Sequence, residues 1–223
     1  MCFSATASFT AAAVLGATGA FTLGRSIVQK RPIGERTLAS FPVFFALQQA
    51  GEGMVWLGIY GTLPAFLEPI AMGLFIFAAY VFWPVMGPVT GWLLEPPGPR
   101  KRMFVALILG GLIIASYLSF AALSKPQTPI AMEQWGGHIW YMHDFTYIPY
   151  IETLYFLTAC TALLLSSNRV AFWFAVVLTG AFAITMWGYN INVVPSVWCF
   201  YAAGASLVIV VGLLDRERMP AES

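Results

Sequence analysis

The chain has 223 residues, of which 59% are hydrophobic and only 9% are charged. Soluble domains carry about a quarter of their residues as charged side chains, so this composition excludes an ordinary soluble domain and indicates a surface that faces lipid. The formal net charge is +1 and no basic run exceeds Arg100-Lys101-Arg102, which argues against nucleic acid as a partner.

Seven apolar stretches follow one another along the chain, each close to the ~20 residues that cross a bilayer as a helix. Backbone polar groups in lipid must be satisfied within their own segment, so stretches this apolar predict helices and not strands. They are expected at Ala5–Val28, Thr37–Tyr60, Phe66–Leu94, Met103–Leu123, Ile148–Leu165, Val170–Tyr189 and Ser196–Leu214. The predicted fold is an all-α bundle of seven transmembrane helices that forms one domain over residues 1–223.

The basic residues are divided very unevenly between the two sets of alternating loops. One set holds ten of the 11 lysines and arginines, namely Arg25, Lys30, Arg31, Arg36, Arg100, Lys101, Arg102, Arg169, Arg216 and Arg218. The other set holds only Lys125. The positive-inside rule makes the rich side cytoplasmic, which predicts an outer N-terminus, a cytoplasmic C-terminus and an odd number of spans.

Beyond its first turn, the third apolar stretch contains two prolines, Pro84 and Pro88. Proline has no N–H to donate, and its ring clashes with the preceding turn of a helix. We therefore expect a kink in the cytoplasmic half of this helix.

The longest connection runs from about residue 124 to residue 147, on the predicted outer side. It opens with two prolines, Pro126 and Pro129, which are typical of a loop. Both histidines of the chain, His138 and His143, follow among several aromatic residues. Connections of this length in compact proteins are often functional, and we expect this one to lie at the interface or to cap the bundle.

Glu52 is the strongest single signal of a site. It lies in the outer half of the second helix and shares one helical face with Gln49 and Trp56. An ionisable residue inside a membrane helix costs about 2.5–3.5 kcal/mol on insertion scales and by default marks a functional site. The alternative is that Glu52 bonds to Gln48 or to a neighbouring helix and only fixes packing.

Cys2, His138, Cys199 and Glu52 are expected at similar heights near the outer surface. Thiolate, imidazole and carboxylate groups together suit zinc or another transition metal. The chain has no CxxC, HxxxH or HExxH spacing, so this hypothesis rests on depth alone. Two alternatives stay open: Cys2 and Cys199 form a disulfide, which an oxidising compartment permits, or the histidines are simply interfacial.

Two serines near the outer surface, Ser4 and Ser196, are candidate nucleophiles. No GxSxG motif surrounds either of them. Ser196 follows Pro195, and this position favours a role as the N-cap of the seventh helix.

Several blocks of the sequence resemble one family. These are the opening run Met1–Phe9, Gln48–Gly53 with Trp56, Trp83-Pro84 with Pro88, and Ser196–Phe200. They are similar to an uncharacterised bacterial integral-membrane family whose members begin with a Met-Cys-Phe-Ser-Ala block. The resemblance implies seven helices in the bacterial inner membrane and brings no known activity. Its recurring polar positions are Cys2, Ser4, Gln49, Glu52, His138, Tyr141 and Cys199.

The sequence thus predicts a membrane-embedded metalloprotein with an outward-facing site. Cys2, His138 and Cys199 would bind the metal, and Glu52 would act as a ligand or as a general base. Tyr141 and Ser4 would orient a small or lipid-like substrate, and Gln49 and Trp56 would line the site. Membrane lipids are the expected surroundings, within a homo-oligomer or a larger complex.

The main alternative is a non-catalytic accessory subunit of a membrane complex, or a binding protein for a lipid, quinone or pigment. Proton or ion translocation through Glu52 is less favoured, because translocation needs polar residues at several depths. The cytoplasmic half of the chain offers little besides Cys160, Thr158 and Glu95.

Overall fold

The computed structural model describes residues 4–125, 128–132, 137–142, 146, 148–188 and 194–215. Within these residues the chain forms seven helices and one pair of strands. The helices are α1 (Ala5–Val28), α2 (Ile33–Ile59), α3 (Ala65–Leu94), α4 (Pro99–Ser124), α5 (Ile151–Leu164), α6 (Arg169–Gly188) and α7, which has two segments (Val194–Ala205 and Leu207–Asp215). The strands are β1 (Thr128–Met132) and β2 (His138–Met142).

The predicted all-α class is confirmed, and each of the seven apolar stretches contains a helix. In the described part of the chain, five helices are long and apolar enough to cross a membrane: α1, α3, α4, α6 and the 196–214 part of α7. Helix α5 is apolar but shorter. Two helices begin four residues earlier than predicted, because α2 includes the charged residues Glu35 and Arg36, and α4 begins with Pro99 in its first turn.

Neighbouring helices in the chain pack side by side, and α7 returns to contact α1 and α2 as well as α6. Glycines let some of these backbones approach closely. A Cβ built on Gly87 of α3 would collide with the backbone carbonyl of Ala159 in α5, and one built on Gly111 of α4 would collide with the carbonyl of Pro84. The centre of the bundle is therefore closed by direct helix contact.

Helix α3 contains a π-helical turn, Phe77–Phe82, which ends two residues before Pro84. In this turn the N–H of Trp83 donates to the carbonyl of Ala78. Pro84 comes next in the series and has no N–H for the carbonyl of Ala79. The hydroxyl of Tyr155, from α5, donates to that carbonyl at 2.7 Å. The irregularity expected from the prolines is thus a π turn in the middle of α3, stabilised by a neighbouring helix.

The connection between α4 and α5 folds into an antiparallel hairpin, which the sequence did not predict. Its register pairs Thr128 with Met142 and Met132 with His138. Strand β1 contacts α2, and β2 contacts the first segment of α7. We call this end of the bundle the hairpin end.

The opposite end, which we call the basic end, carries the buried carboxylate of Glu95. Its two oxygens accept hydrogen bonds from the backbone N–H and the hydroxyl of Ser167, at 2.9 and 2.7 Å, and Arg100 lies 3.4 Å away. Arg31 donates to the carbonyl of Leu213 in the last turn of α7 at 3.2 Å. The helix dipole stabilises a cation at this end of a helix. Glu95 thereby joins the α3–α4 and α5–α6 connections, and Arg31 joins the α1–α2 connection to the end of α7.

Candidate functional site

Glu52 lies near the hairpin end of α2 and faces the interior of the bundle, with no exposed surface. Its Oε1 accepts a hydrogen bond from the hydroxyl of Ser196 at 2.5 Å, and its Oε2 accepts one from Nε2 of Gln49 at 3.4 Å. Gln49 precedes Glu52 by three residues and is also fully buried, so the predicted shared face exists. The carboxyl group is therefore satisfied by another helix and not by lipid.

Ser196 is the residue that the sequence reasoning placed wrongly. We expected it to be the N-cap of the last helix, but α7 already begins at Val194. Ser196 therefore lies inside the first turn, and its fully buried hydroxyl bonds to Glu52, 144 positions away in sequence. The sequence feature that could have indicated this contact is the position of Ser196 in the outermost turn of α7, at the same expected depth as Glu52.

A second buried amide extends this polar group toward the centre of the bundle. Nε1 of Trp83, on α3, donates to Oε1 of Gln48 at 2.7 Å. The Trp83 ring stacks on Phe45 with a centroid distance of 3.9 Å, which fixes the indole in place. Among the described residues, Nε2 of Gln48 has no hydrogen-bond partner. We refer to Gln48, Gln49, Glu52, Trp83 and Ser196 as the Glu52 cluster.

The start of α1 lies beside this cluster. A Cβ built on Gly53 would lie 2.9 Å from the ring of Phe9, so α1 touches α2 one residue after Glu52. Ser8 is fully buried, and its hydroxyl has no hydrogen-bond partner in the described part of the chain. Ser4 is the N-cap of α1, and its hydroxyl accepts the backbone N–H of Ala7 at 3.2 Å. Among the described residues, no basic side chain accepts a hydrogen bond from the Ser4 hydroxyl.

Strand β2 brings His138 and Tyr141 to the hairpin end, each with only 2% of its surface exposed. Side chains alternate along a strand, so these two residues belong to opposite faces of β2. The Tyr141 ring stacks on Phe75 of α3 with a centroid distance of 4.7 Å, in an apolar cluster that includes Trp56. Burial lowers the pKa of His138 to about 4, so its imidazole is neutral at pH 7.

Trp56 lies one turn beyond Glu52 on α2 and is 2% exposed. Its ring packs near that of Tyr60, with a centroid distance of 5.5 Å. Within the described residues its indole N–H has no hydrogen-bond partner. Together with Gln48 and Ser8, it is a third buried polar group around Glu52 whose hydrogen bond the described chain does not complete.

The predicted metal ligands are only partly within the described residues. Glu52 and His138 are described, whereas Cys2, His143 and the side chain of Cys199 lie outside. The backbone of Cys199 belongs to α7, one turn after Ser196. Among the residues that the structure describes, no group of three or more His, Cys, Asp or Glu side chains could hold a metal ion. Cys160 is a free thiol buried in α5, as a packing residue.

A model described as a family of unknown function (DUF6629) matches the chain over residues 1–223. The chain therefore belongs to this family, and the predicted membership of a family of unknown function is confirmed. No curated protein and no solved structure matches the chain.

Proposed function

We propose that this member of the DUF6629 family is a multi-pass protein of a bacterial inner membrane with seven spans, the hairpin end outside and the basic end in the cytoplasm. The distribution of basic residues supports this orientation. Arg31 donates to the end of α7, and Arg100 donates to Ser167 in the α5–α6 connection. The segments rich in basic residues therefore share one end. Helix α2, with 27 residues, is about 40 Å long and therefore long enough to span a bilayer.

We further propose that the outer half of the bundle binds a transition metal ion, such as zinc, beside Glu52. The observation that carries this proposal is the hydrogen bond between Ser196 and Glu52, because it brings the first turn of α7 against α2. Cys199 follows Ser196 by one helical turn, and Cys2 precedes the part of α1 that touches Gly53. The Ser196–Glu52 hydrogen bond and the Phe9–Gly53 contact thus bring α1, α2 and the first turn of α7 together beside the buried carboxyl group, which supports the proposal.

The chemistry of His138 also supports metal binding. A metal binds the neutral imidazole, and because burial lowers the pKa of His138 to about 4, this form also predominates between pH 4 and 6.5, where an ordinary histidine becomes protonated. Cys2, His138 and Cys199 would supply three ligands, which is the number typical of catalytic zinc sites with an open position. A bound metal would supply Lewis-acid activation of water, and Glu52 would serve as a further ligand or as the general base that accepts the proton. A substrate or water molecule bound beside the metal would offer an acceptor to buried donors such as the indole N–H of Trp56.

The reaction class that such an arrangement serves is metal-assisted hydrolysis of a small or lipid-like substrate. Tyr141 would act in this proposal through packing, since its ring is held against Phe75. The alternative is a non-catalytic subunit or binding protein in which the Glu52 cluster only fixes helix packing. The two proposals differ in whether the purified protein contains metal.

The test is metal analysis by mass spectrometry on protein purified in detergent, together with a count of free thiols. The proposal predicts about one metal ion per chain as purified, and a much lower metal content in Cys199→Ser and in His138→Ala. Cys160→Ser is the matched control and should retain the metal, because Cys160 is buried among apolar residues of the central core. Metal-free wild-type protein with a Cys2–Cys199 disulfide would overturn the proposal and favour the accessory subunit.

A further inference from the structure

A crevice separate from the Glu52 cluster opens on the side of the bundle. It is bordered by the outer halves of α2, α3 and α4 and by β1, and its volume is about 830 Å³. Binding sites for small molecules commonly have volumes of about 300–1,000 Å³. None of its lining residues belongs to the Glu52 cluster.

The crevice is long and apolar. Its lining follows α3 from Glu68 to Val81, which is about 20 Å at 1.5 Å per residue. That length is about two thirds of the hydrocarbon core of a bilayer. Gly73 contributes no side chain to the wall, and a Cβ built there would meet no atom within 4 Å. The space in front of Gly73 is therefore open, and its shape fits one extended hydrocarbon chain.

The surface around the crevice is apolar as well. Large exposed hydrophobic residues stand on both sides of it, including Ile70 and Phe77 on α3 and Phe120 and Leu123 on α4. In a bundle of this composition, such a surface faces the hydrocarbon of the membrane. An apolar crevice open to that surface is in contact with lipid tails along its whole length.

One ionisable residue lines the crevice among the described residues, and it lies at the hairpin end. Glu68 is in the first turn of α3. A Cβ built on Gly58 of α2 would lie 3.5 Å from Cγ of Glu68, so this side chain crosses from α3 toward α2 over the outer end of the crevice. No described lysine or arginine pairs with Glu68. A carboxylate in this position favours a cationic group at the head of the bound molecule.

We propose that the crevice binds one acyl chain of an amine-bearing phospholipid, with the ammonium of the headgroup at Glu68. In the proposed orientation the hairpin end is outside, so the lipid would come from the outer leaflet. The site itself is independent of the metal proposal. Protein without metal would still bind the lipid, so failure of one proposal leaves the other standing.

The test uses native mass spectrometry of the full chain in detergent, titrated with dioleoyl phosphatidylethanolamine and with dioleoyl phosphatidylglycerol. These two lipids have the same acyl chains and differ in the headgroup. Wild-type protein should bind one phosphatidylethanolamine about tenfold more tightly than phosphatidylglycerol. Equal binding of the two lipids by wild-type protein would overturn the assignment of Glu68.

Two pairs of variants separate the chain from the headgroup. Gly73→Leu fills the crevice and should weaken binding of both lipids about tenfold or more, whereas Gly180→Leu, at an equally open glycine on the exposed face of α6, should not. Glu68→Gln should remove the preference for phosphatidylethanolamine, whereas Glu152→Gln, in the first turn of α5, should keep it. If Gly73→Leu does not fold, Ser119→Leu fills the same crevice from α4. Lipid binding unchanged in a folded crevice-filling variant would overturn the proposal.

Discussion

Replacing Ser196 by alanine tests the contact that holds the Glu52 cluster together. The substitution removes the 2.5 Å hydrogen bond from the Ser196 hydroxyl to Glu52 and leaves a fully buried oxygen with one donor fewer. Hydrogen bonds between membrane helices contribute about 0.6 kcal/mol on average and up to about 1.7 kcal/mol. Because the acceptor is a carboxyl group without exposed surface, we expect a value near the upper end, about 1.5 kcal/mol.

For a chain of this length, each 1 kcal/mol shifts the melting temperature by about 2–4 °C, so Ser196→Ala should melt about 3–6 °C lower. The assay is thermal unfolding in detergent, followed by circular dichroism. Ser206→Ala is the matched control, because Ser206 is equally buried on α7 but its hydroxyl donates only to the carbonyl of Ala203 in the same helix. Of the two substitutions, only Ser196→Ala removes a hydrogen bond to another helix, so the additional loss in Ser196→Ala reports the bond to Glu52. Equal melting temperatures of the two variants would refute the reasoning.

Three further predictions follow from other contacts. Tyr155→Phe should cost about 1 kcal/mol, measured by thermal unfolding, because it removes the donor to the π turn of α3; an unchanged melting temperature would contradict that account. Glu95→Gln should cost about 1–2 kcal/mol, because the Glu95 carboxylate is buried and accepts two hydrogen bonds from Ser167. Glu35→Gln, at a carboxylate that is less buried than Glu95 and forms an i,i+4 pair with Arg31, should cost only about 0.3–0.5 kcal/mol; equal losses would contradict the buried position of Glu95.

The third concerns His138, whose pKa of about 4 lies below its ordinary value of 6.5. The unfolded chain then binds the proton first, so the stability of the metal-free protein should fall as the pH is lowered from about 6.5 to 4. The loss should be smaller in His138→Gln, and an identical pH profile of melting temperature in both proteins would contradict a buried neutral imidazole.

The sequence was sufficient to predict the helices, since apolar length alone defines a segment that crosses lipid. It also predicted the polar face of α2, because Gln49, Glu52 and Trp56 recur at helical spacing. Both results depend on local pattern, which a single sequence contains. The boundaries were less accurate where helices continue into charged residues, as in the first turn of α2.

Contacts between distant segments were not predictable in the same way. The partner of Glu52 is Ser196, and nothing in the spacing of two residues 144 positions apart indicates that their helices are neighbours. The hairpin was missed because its strands do not alternate between apolar and polar residues: His138, Ile139 and Tyr141 are all buried. The signal that was available is the enrichment of β2 in Ile, Trp and Tyr, which favour strands.

The central claim is that a metal ion lies beside Glu52, held by ligands from both ends of the chain. X-ray absorption spectroscopy of the zinc-loaded protein in detergent tests it most directly, because it reports the ligand atoms themselves. The account predicts two sulfur ligands at about 2.3 Å together with nitrogen or oxygen ligands at about 2.0–2.1 Å, and loss of one sulfur in Cys199→Ser. A spectrum with no sulfur ligand, or a spectrum that Cys199→Ser leaves unchanged, would contradict it.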